Sequence, residues 1–183
     1  MRRTVLLFLS FACLATAACS SNSDPGKDPG ADAGNDGCVA VTSDADLTTP
    51  TVSFKTDILP TFQLSCGIAG STCHGTPQVA LTQQRPFLGF PDGGTDAGEV
   101  ITGLVGVATN EDPQMMYVIA NDPDHSYLMH KVDGDQCIFA AACAQGQTQY
   151  TDCGQQMPYS SPPLDAPTRD AIRRWIAQGA STN

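Results

Sequence analysis

Short amphipathic stretches alternate along the chain with long runs of Gly, Pro and polar residues. The clearest stretch covers residues 165–179, where apolar side chains recur every three or four positions, as on one face of a helix. That face consists of Ala171, Ile172, Trp175 and Ile176. Asp165 is the predicted N-cap, Pro167 fits the first turn and Gly179 is the predicted end of the helix.

A second helix is predicted immediately before a cysteine. Residues 54–65 carry apolar side chains at helical spacing, but they include Pro60, which a helix interior does not tolerate. A helix that starts near Ile58 places this proline in its first turn, where the missing N–H costs nothing. Such a helix leads directly into Cys66.

The middle of the chain gives weaker signals. Residues 99–107 are compatible with a short helix or a strand, and residues 115–120 favour buried β-structure. Residues 122–132 begin with an Asp-Pro turn signal and predict a short helix capped by Asp124 or Ser126. The pattern as a whole predicts a mainly α, loop-rich domain of short elements.

The N-terminus has the pattern of a secretory leader. A basic start is followed by an apolar run and small residues, which predicts a signal peptide over residues 1–18. Its ending, Thr-Ala-Ala-Cys, resembles a bacterial lipoprotein cleavage box in which Cys19 is lipidated, although Thr16 stands where Leu is preferred. Ordinary cleavage after Ala17 is the alternative, because small residues also precede that position.

The predicted leader is followed by a segment of unusual composition. Residues 19–50 begin with a run of Asp, Gly, Pro, Ala and Asn without large apolar side chains, and such a run cannot offset its ordering entropy. We therefore expect a flexible tether over 19–50 and a folded domain over 51–183. A tethered, lipid-anchored protein would lie on a membrane in the bacterial periplasm or at the cell surface.

The chain is acidic, with a net charge of −10. Loss of the leader would remove the positive charges of Arg2 and Arg3 and bring the net charge to −12. Nucleic acid is excluded as an expected partner, because phosphate binding needs clustered Lys and Arg. The acidic surface either attracts a basic protein partner or only aids solubility.

Eight cysteines are present, and six remain when Cys13 in the leader and Cys19 are set aside. Cys66 and Cys73 are separated by six residues, and His74 follows directly. They are interpreted either as an intraloop disulfide or as a stretched form of the C-x-x-C-H haem motif. The other four are Cys38, Cys137, Cys143 and Cys153. The last three lie in a Gln- and Ala-rich loop, which predicts a disulfide-stapled insertion. Their spacing does not match a zinc site.

Several motifs in sequence order resemble the cytochrome c domain of secreted bacterial proteins. A short helix runs into Cys66, and Cys73-His74-Gly75 completes this first motif. Met157-Pro158 follows much later, and IRRWIAQGA lies in the last predicted helix. The run NDPDHSYLMHKV also resembles the segment between those motifs. The resemblance covers about residues 51–180, and the six-residue gap departs from the family pattern.

The resemblance implies haem c bound covalently through Cys66 and Cys73. His74 would be the proximal iron ligand and Met157 the sixth ligand, with His125 and His130 as rivals for the sixth position. Gly67 and Gly70 would let the longer loop bulge while its ends stay close, at a small entropic cost.

Three classes of function are compared for this sequence. The preferred one is an electron-transfer domain tethered to a membrane, with a redox protein as partner, a basic one if the acidic surface serves docking. The alternative is a non-haem, disulfide-stapled lipoprotein that serves as a binding module. We do not expect an enzyme, because the sequence has no phosphate loop, no convincing Ser/His/Asp set and no zinc motif.

Overall fold

The computed structural model describes residues 38–67, 73–77, 85–112, 114–145 and 153–183. The predicted leader, Cys19 and residues 19–37 of the predicted tether lie outside these ranges. The described α-helices are α1 (Leu59–Ser65), α2 (Ala97–Leu104), α3 (Tyr127–Asp133), α4 (Ala140–Cys143) and α5 (Ala166–Ala177). A π-helical turn, Phe54–Ile58, precedes α1, and 3-10 turns precede α3 and α4 at Pro123–His125 and Gln136–Phe139.

The mainly α prediction is confirmed for the described part of the chain, which contains no β-strand. Its β-contacts are isolated bridges, such as the parallel pair Val105 and Val118. Within the same ranges, no helix has the length and apolar character to cross a bilayer.

The predicted C-terminal helix is confirmed as α5. The Asp165 carboxylate accepts the Thr168 N–H at 2.9 Å, which satisfies one of the amides that the first turn leaves unpaired. The helix ends at Ala177, and Gly179 follows with a φ of 102°, a conformation that favours glycine.

Trp175 of α5 lies in the centre of the hydrophobic core and is only 1% exposed. Its ring packs against Phe54 and Phe62, with centroid distances of 4.9 and 6.4 Å. The indole N–H donates to the Ser181 carbonyl at 3.0 Å, so burial leaves this donor satisfied. The same core takes buried side chains from α1, α2 and α3.

The helix predicted before Cys66 is also confirmed. The π-helical turn starts after Ser53, whose hydroxyl accepts the Thr56 N–H, and α1 continues with Pro60 in its first turn. Cys66 is the C-cap residue, and its N–H donates to the Phe62 carbonyl at 2.8 Å.

The two ambiguous stretches resolve differently. Residues 99–107 form most of helix α2 and then a single bridge. Residues 115–120 do not form a strand, because Met116 pairs only through isolated bridges, with Ala108 and Ser126. Ser126 is the N-cap of α3, but its hydroxyl donates to the Asp122 carbonyl at 2.7 Å instead of capping the helix.

A buried ion-pair cluster joins α3 to α5. The Asp133 carboxylate lies between the guanidinium groups of Arg173 and Arg169, and Arg173 also bonds Asp170 at 2.8 Å. Burial raises the pKa of Asp133, and the two arginines offset part of that rise. The cluster holds the end of α3 against α5. This position of α3 matters below, because Lys131 of α3 bonds the Met157 segment.

The structure places the end of the predicted tether on the domain. Cys38 forms a disulfide with Cys137, and the Val41 N–H donates to the Asp135 carboxylate at 2.7 Å. Further along, the Asp46 carbonyl accepts the Arg174 Nε–H at 2.6 Å. The segment 38–50 therefore packs on the folded domain instead of continuing the tether.

The second disulfide, Cys143–Cys153, closes the predicted insertion. The insertion starts with the 3-10 turn Gln136–Phe139 and helix α4, and residues 146–152 lie outside the described ranges. A disulfide within the predicted loop is therefore confirmed, while the third cysteine of that cluster, Cys137, pairs with Cys38.

Candidate cofactor-attachment site

The site begins where α1 ends. The N–H groups of Cys66 and Gly67 both donate to the Phe62 carbonyl, which turns the chain out of the helix. A Cβ atom at Gly67 would stand 2.6 Å from the Gly89 carbonyl oxygen, so only glycine allows this approach. The position of Cys66 is thus fixed on both sides by backbone.

Cys66 and Cys73 are both free thiols. The other four described cysteines pair with each other, as Cys38–Cys137 and Cys143–Cys153. The expected alternative of an intraloop Cys66–Cys73 disulfide is therefore not what the structure contains. Among the described cysteines, the two disulfides thus leave Cys66 and Cys73 as thiols, and both precede His74 in sequence.

The ends of the six-residue interval meet. The His74 N–H donates to the Cys66 carbonyl at 3.1 Å, which closes the loop between them. Burial raises the pKa of the Cys66 thiol to about 12, and the nearby Cys73 adds to the rise. Gly70 and the other residues from 68 to 72 lie outside the described ranges.

The His74 imidazole has one ring nitrogen committed to the protein. Nδ1 lies 2.7 Å from the Pro86 carbonyl oxygen, and because a carbonyl only accepts, Nδ1 carries the proton. Nε2 then keeps its lone pair. A metal-binding histidine typically has this arrangement, with the second nitrogen oriented by a backbone carbonyl or a carboxylate. A second bond, from the Leu88 N–H to the His74 carbonyl at 2.9 Å, holds residues 85–88 against the site.

The electrostatic surroundings keep this imidazole neutral. Burial has the largest effect and lowers the pKa of His74. The hydrogen bond to the Pro86 carbonyl opposes it, and the positive charges of Arg85 and then Lys131 lower the pKa further. The neutral ring is the form that binds a metal.

One buried polar atom near His74 is unsatisfied. Among the described residues, Thr76 Oγ1 has no hydrogen-bond partner although it is buried. Such an atom calls for a partner from outside the described residues, since burial without a hydrogen bond is costly. The two thiols and the oriented imidazole are the residue types that covalent attachment and ligation of a haem require.

Met157 is bonded to α3. Its N–H donates to the Lys131 carbonyl at 2.8 Å, and its side chain is half-buried. Lys131 is also related to His74, because its charge lowers the pKa of that imidazole. Cys66 shares a backbone hydrogen bond with His74 and Cys73 directly precedes it, whereas Met157 is related to His74 through Lys131.

The two rival histidines are engaged elsewhere. Both ring nitrogens of His130 have acceptors, Asp135 Oδ1 at 2.9 Å and the Asp124 carbonyl at 3.0 Å. The His125 side chain is 75% exposed, and its Nδ1 bonds Asp122. Both rings are thus bonded to carboxylate or carbonyl oxygens, and Met157 remains the expected sixth ligand.

Three contributors to the site were not expected from the sequence. The Pro86 carbonyl, Lys131 and the Thr76 hydroxyl carry no motif, since the first is a backbone group and the others are common residue types. Within the described ranges, no group of three or more His, Cys, Asp or Glu side chains is placed to hold a metal ion. Iron held by one histidine and one methionine needs further ligands, which a porphyrin supplies.

Comparison with known proteins adds no relative to this picture. No protein-family model, curated protein or solved structure matches the chain.

Proposed function

We propose that this chain is a c-type haem protein that transfers electrons outside the cytoplasm, with a cytochrome c-like domain over residues 51–183. The observation that carries the proposal is the partition of the cysteines. Four of the described cysteines form disulfides, and the two left as thiols are Cys66 and Cys73, beside an imidazole whose Nδ1 is bonded to a carbonyl.

The chain's own residues supply attachment and ligation. Cys66 and Cys73 would hold the haem as thioethers, each S–H having added across a vinyl group so that sulfur and hydrogen take its two carbons. His74 offers Nε2, and the Pro86 carbonyl keeps the ring in the tautomer that leaves this nitrogen unprotonated. Met157 offers a thioether sulfur, a ligand that raises the reduction potential relative to a second histidine. When bound, haem supplies an iron that alternates between two oxidation states.

The anchor and the partner belong to the same proposal. A lipid on Cys19 would hold the domain to a membrane facing the bacterial periplasm or the cell surface. The acidic chain suits a basic redox protein that docks briefly. Electron transfer is proposed in preference to catalysis, because Met157, if bound to the iron together with His74, would leave the iron no open site for a substrate.

The test is covalent haem content. The full-length chain, produced in a host with c-type haem attachment machinery, should gain the mass of one haem and show a reduced-minus-oxidised visible spectrum. Cys66→Ala/Cys73→Ala should abolish the covalent gain, whereas Cys143→Ser/Cys153→Ser, which also removes two cysteines, should retain it. His74→Gln should lose the spectrum of a ligated haem, with the surface variant His125→Gln as control.

A colourless protein with only disulfides and lipid would reject the proposal. The non-haem lipoprotein with a binding role would then be the better assignment, with Cys66 and Cys73 as two unmodified thiols.

A further inference from the structure

Lys131 holds the Met157 segment at two points. Its backbone carbonyl accepts the Met157 N–H at 2.8 Å, and its side-chain ammonium donates to the Cys153 carbonyl at 2.8 Å. The residue is 6% exposed, so its charge is withdrawn from water and depends on protein partners. One residue thus fixes both ends of the chain from 153 to 157.

The Cys153 end is held independently as well. Tyr127 donates its hydroxyl to the same Cys153 carbonyl at 3.2 Å, and the disulfide with Cys143 fixes the side chain. Cys153 has a φ of 66°, a conformation that non-glycine residues adopt only when their surroundings hold them in it. These contacts place the carbonyl where the ammonium of Lys131 reaches it.

The residues between the two ends also bond to neighbouring backbone and side chains. Gln156 Nε2 donates to the Val132 carbonyl at 3.2 Å, and the Gly154 carbonyl accepts from Gln136 Nε2 at 3.1 Å. A segment without regular secondary structure is therefore bound along its length to α3 and to the 3-10 turn that follows it. A loop that only connects two elements on the surface does not need a buried ammonium to hold its backbone.

We propose that Lys131 is a positioning residue for Met157: it sets where the thioether stands relative to His74, and Tyr127 assists through the Cys153 carbonyl. This inference rests on the proposed function, since it concerns the sixth ligand of a bound haem. Lys131 does not touch the iron in this scheme and acts through the backbone of 153–157.

The decisive variant is Lys131→Met, which keeps side-chain length and removes the ammonium donor. The matched control is Lys55→Met, because Lys55 is exposed on the π-helical turn. Met157→Ala defines the behaviour of an unligated sixth position. Tyr127→Phe is the milder variant, because it removes only the hydroxyl bond to Cys153.

Three quantities are measured on the purified full-length proteins: the reduction potential, the dissociation constant of imidazole for the iron, and hydrogen exchange at the Met157 amide. In Lys131→Met, haem should remain covalently bound and the potential should fall towards that of Met157→Ala. Imidazole should bind about tenfold more tightly, and the Met157 amide should exchange about tenfold faster, as expected for the loss of a charged hydrogen bond. Tyr127→Phe should shift all three in the same direction by a smaller factor, and Lys55→Met should match the wild type.

The outcomes separate the two proposals. If Met157→Ala shifts the potential but Lys131→Met does not, Lys131 is not a positioning residue and the proposed function stands. If Lys131→Met does not fold, Tyr127→Phe becomes the test. A Tyr127→Phe protein with the wild-type potential, imidazole affinity and Met157 amide exchange overturns the positioning role, and the proposed function stands. If the wild type carries no haem, or Met157→Ala leaves the potential unchanged, the proposed haem ligation itself fails and the inference falls with it.

Discussion

His130 is buried with hydrogen-bond acceptors at both ring nitrogens, so only its protonated form satisfies both bonds. Burial alone would lower the pKa of His130. The hydrogen bond and charge of Asp135, the Asp124 carbonyl and the charge of Asp133 outweigh it, and the pKa is raised. Asp135 also accepts the Val41 N–H, so this pair connects the N-terminal segment to α3.

The raised pKa gives a pH dependence of defined sign. Protonation of His130 stabilises the folded state, and this contribution is complete below the ordinary value of 6.5 and lost as the pH rises through the raised folded-state value. We expect His130→Gln to lower the free energy of unfolding by about 2 kcal/mol near pH 5.5, and by less at higher pH.

Urea unfolding of both proteins over a pH series measures this difference. The exposed His125→Gln variant should behave as the wild type at every pH. A His130→Gln deficit that does not change with pH would show that the ring contributes through packing alone.

At the scale of single residues, the sequence identified the groups with distinctive chemistry and missed those without it. Cys66, Cys73 and His74 were recognisable because thiols beside an imidazole are rare. The Pro86 carbonyl was not, because every residue has a carbonyl and only the fold decides which one faces the imidazole. The relation of Lys131 to Met157 also depends on two segments that are distant in sequence.

Among the elements, α3 ends at Gly134, which lies against the Met157 segment. Gly134 has a φ of 84°, and a Cβ atom there would lie 2.6 Å from Cδ of Gln156. The backbone conformation therefore favours glycine, and an added Cβ would displace the end of the Gln156 side chain.

Gly134→Ala should lower the free energy of unfolding by about 1–2 kcal/mol, because it adds left-handed strain and displaces Gln156. Gly103→Ala on α2 is the matched control, since its Cβ would meet nothing within 4 Å and alanine favours a helix. Thermal unfolding of both variants measures the contrast. Equal effects of the two substitutions would contradict the role given to Gly134.

The elements with strong end signals were the ones predicted correctly. Pro60 and Asp165 marked the starts of α1 and α5, and both helices are present. Residues 99–107 were ambiguous because a short apolar run suits helix and strand alike. Segment 38–50 was grouped with the tether because it follows the Gly-, Pro- and Asp-rich run and carries no helix signal of its own, but a disulfide and polar hydrogen bonds hold it to the domain.

For the whole molecule, the two disulfides differ in the length of chain they close. Cys38–Cys137 spans a sequence separation of 99, and Cys143–Cys153 spans 10. The longer loop removes more entropy from the unfolded chain, about 4.7 kcal/mol against about 2.7 kcal/mol in the chain-entropy model.

Cys38→Ser/Cys137→Ser should therefore destabilise the protein by about 2 kcal/mol more than Cys143→Ser/Cys153→Ser. Urea unfolding under non-reducing conditions compares the two. Hydrogen exchange should locate the added opening of the first variant in residues 38–50. A larger effect of the short disulfide would mean that its loop contributes contacts beyond entropy.

The burial of Cys66 has a consequence for the order in which the protein matures. A thiol with a pKa of about 12 is almost entirely protonated at neutral pH, and thiolates are the species that alkylating reagents, disulfides and oxidants attack. Iodoacetamide should therefore label Cys73 well before Cys66 in folded, haem-free protein, and at similar rates in urea. Similar rates in the folded protein would contradict this protection.

On the proposed function, the same shielding would govern the attachment of haem. Once the domain has folded around Cys66, its sulfur is buried and is poorly accessible to any enzyme that would join haem to it. Attachment would therefore have to precede folding of the domain, and a chain that folded first would keep Cys66 as a buried free thiol.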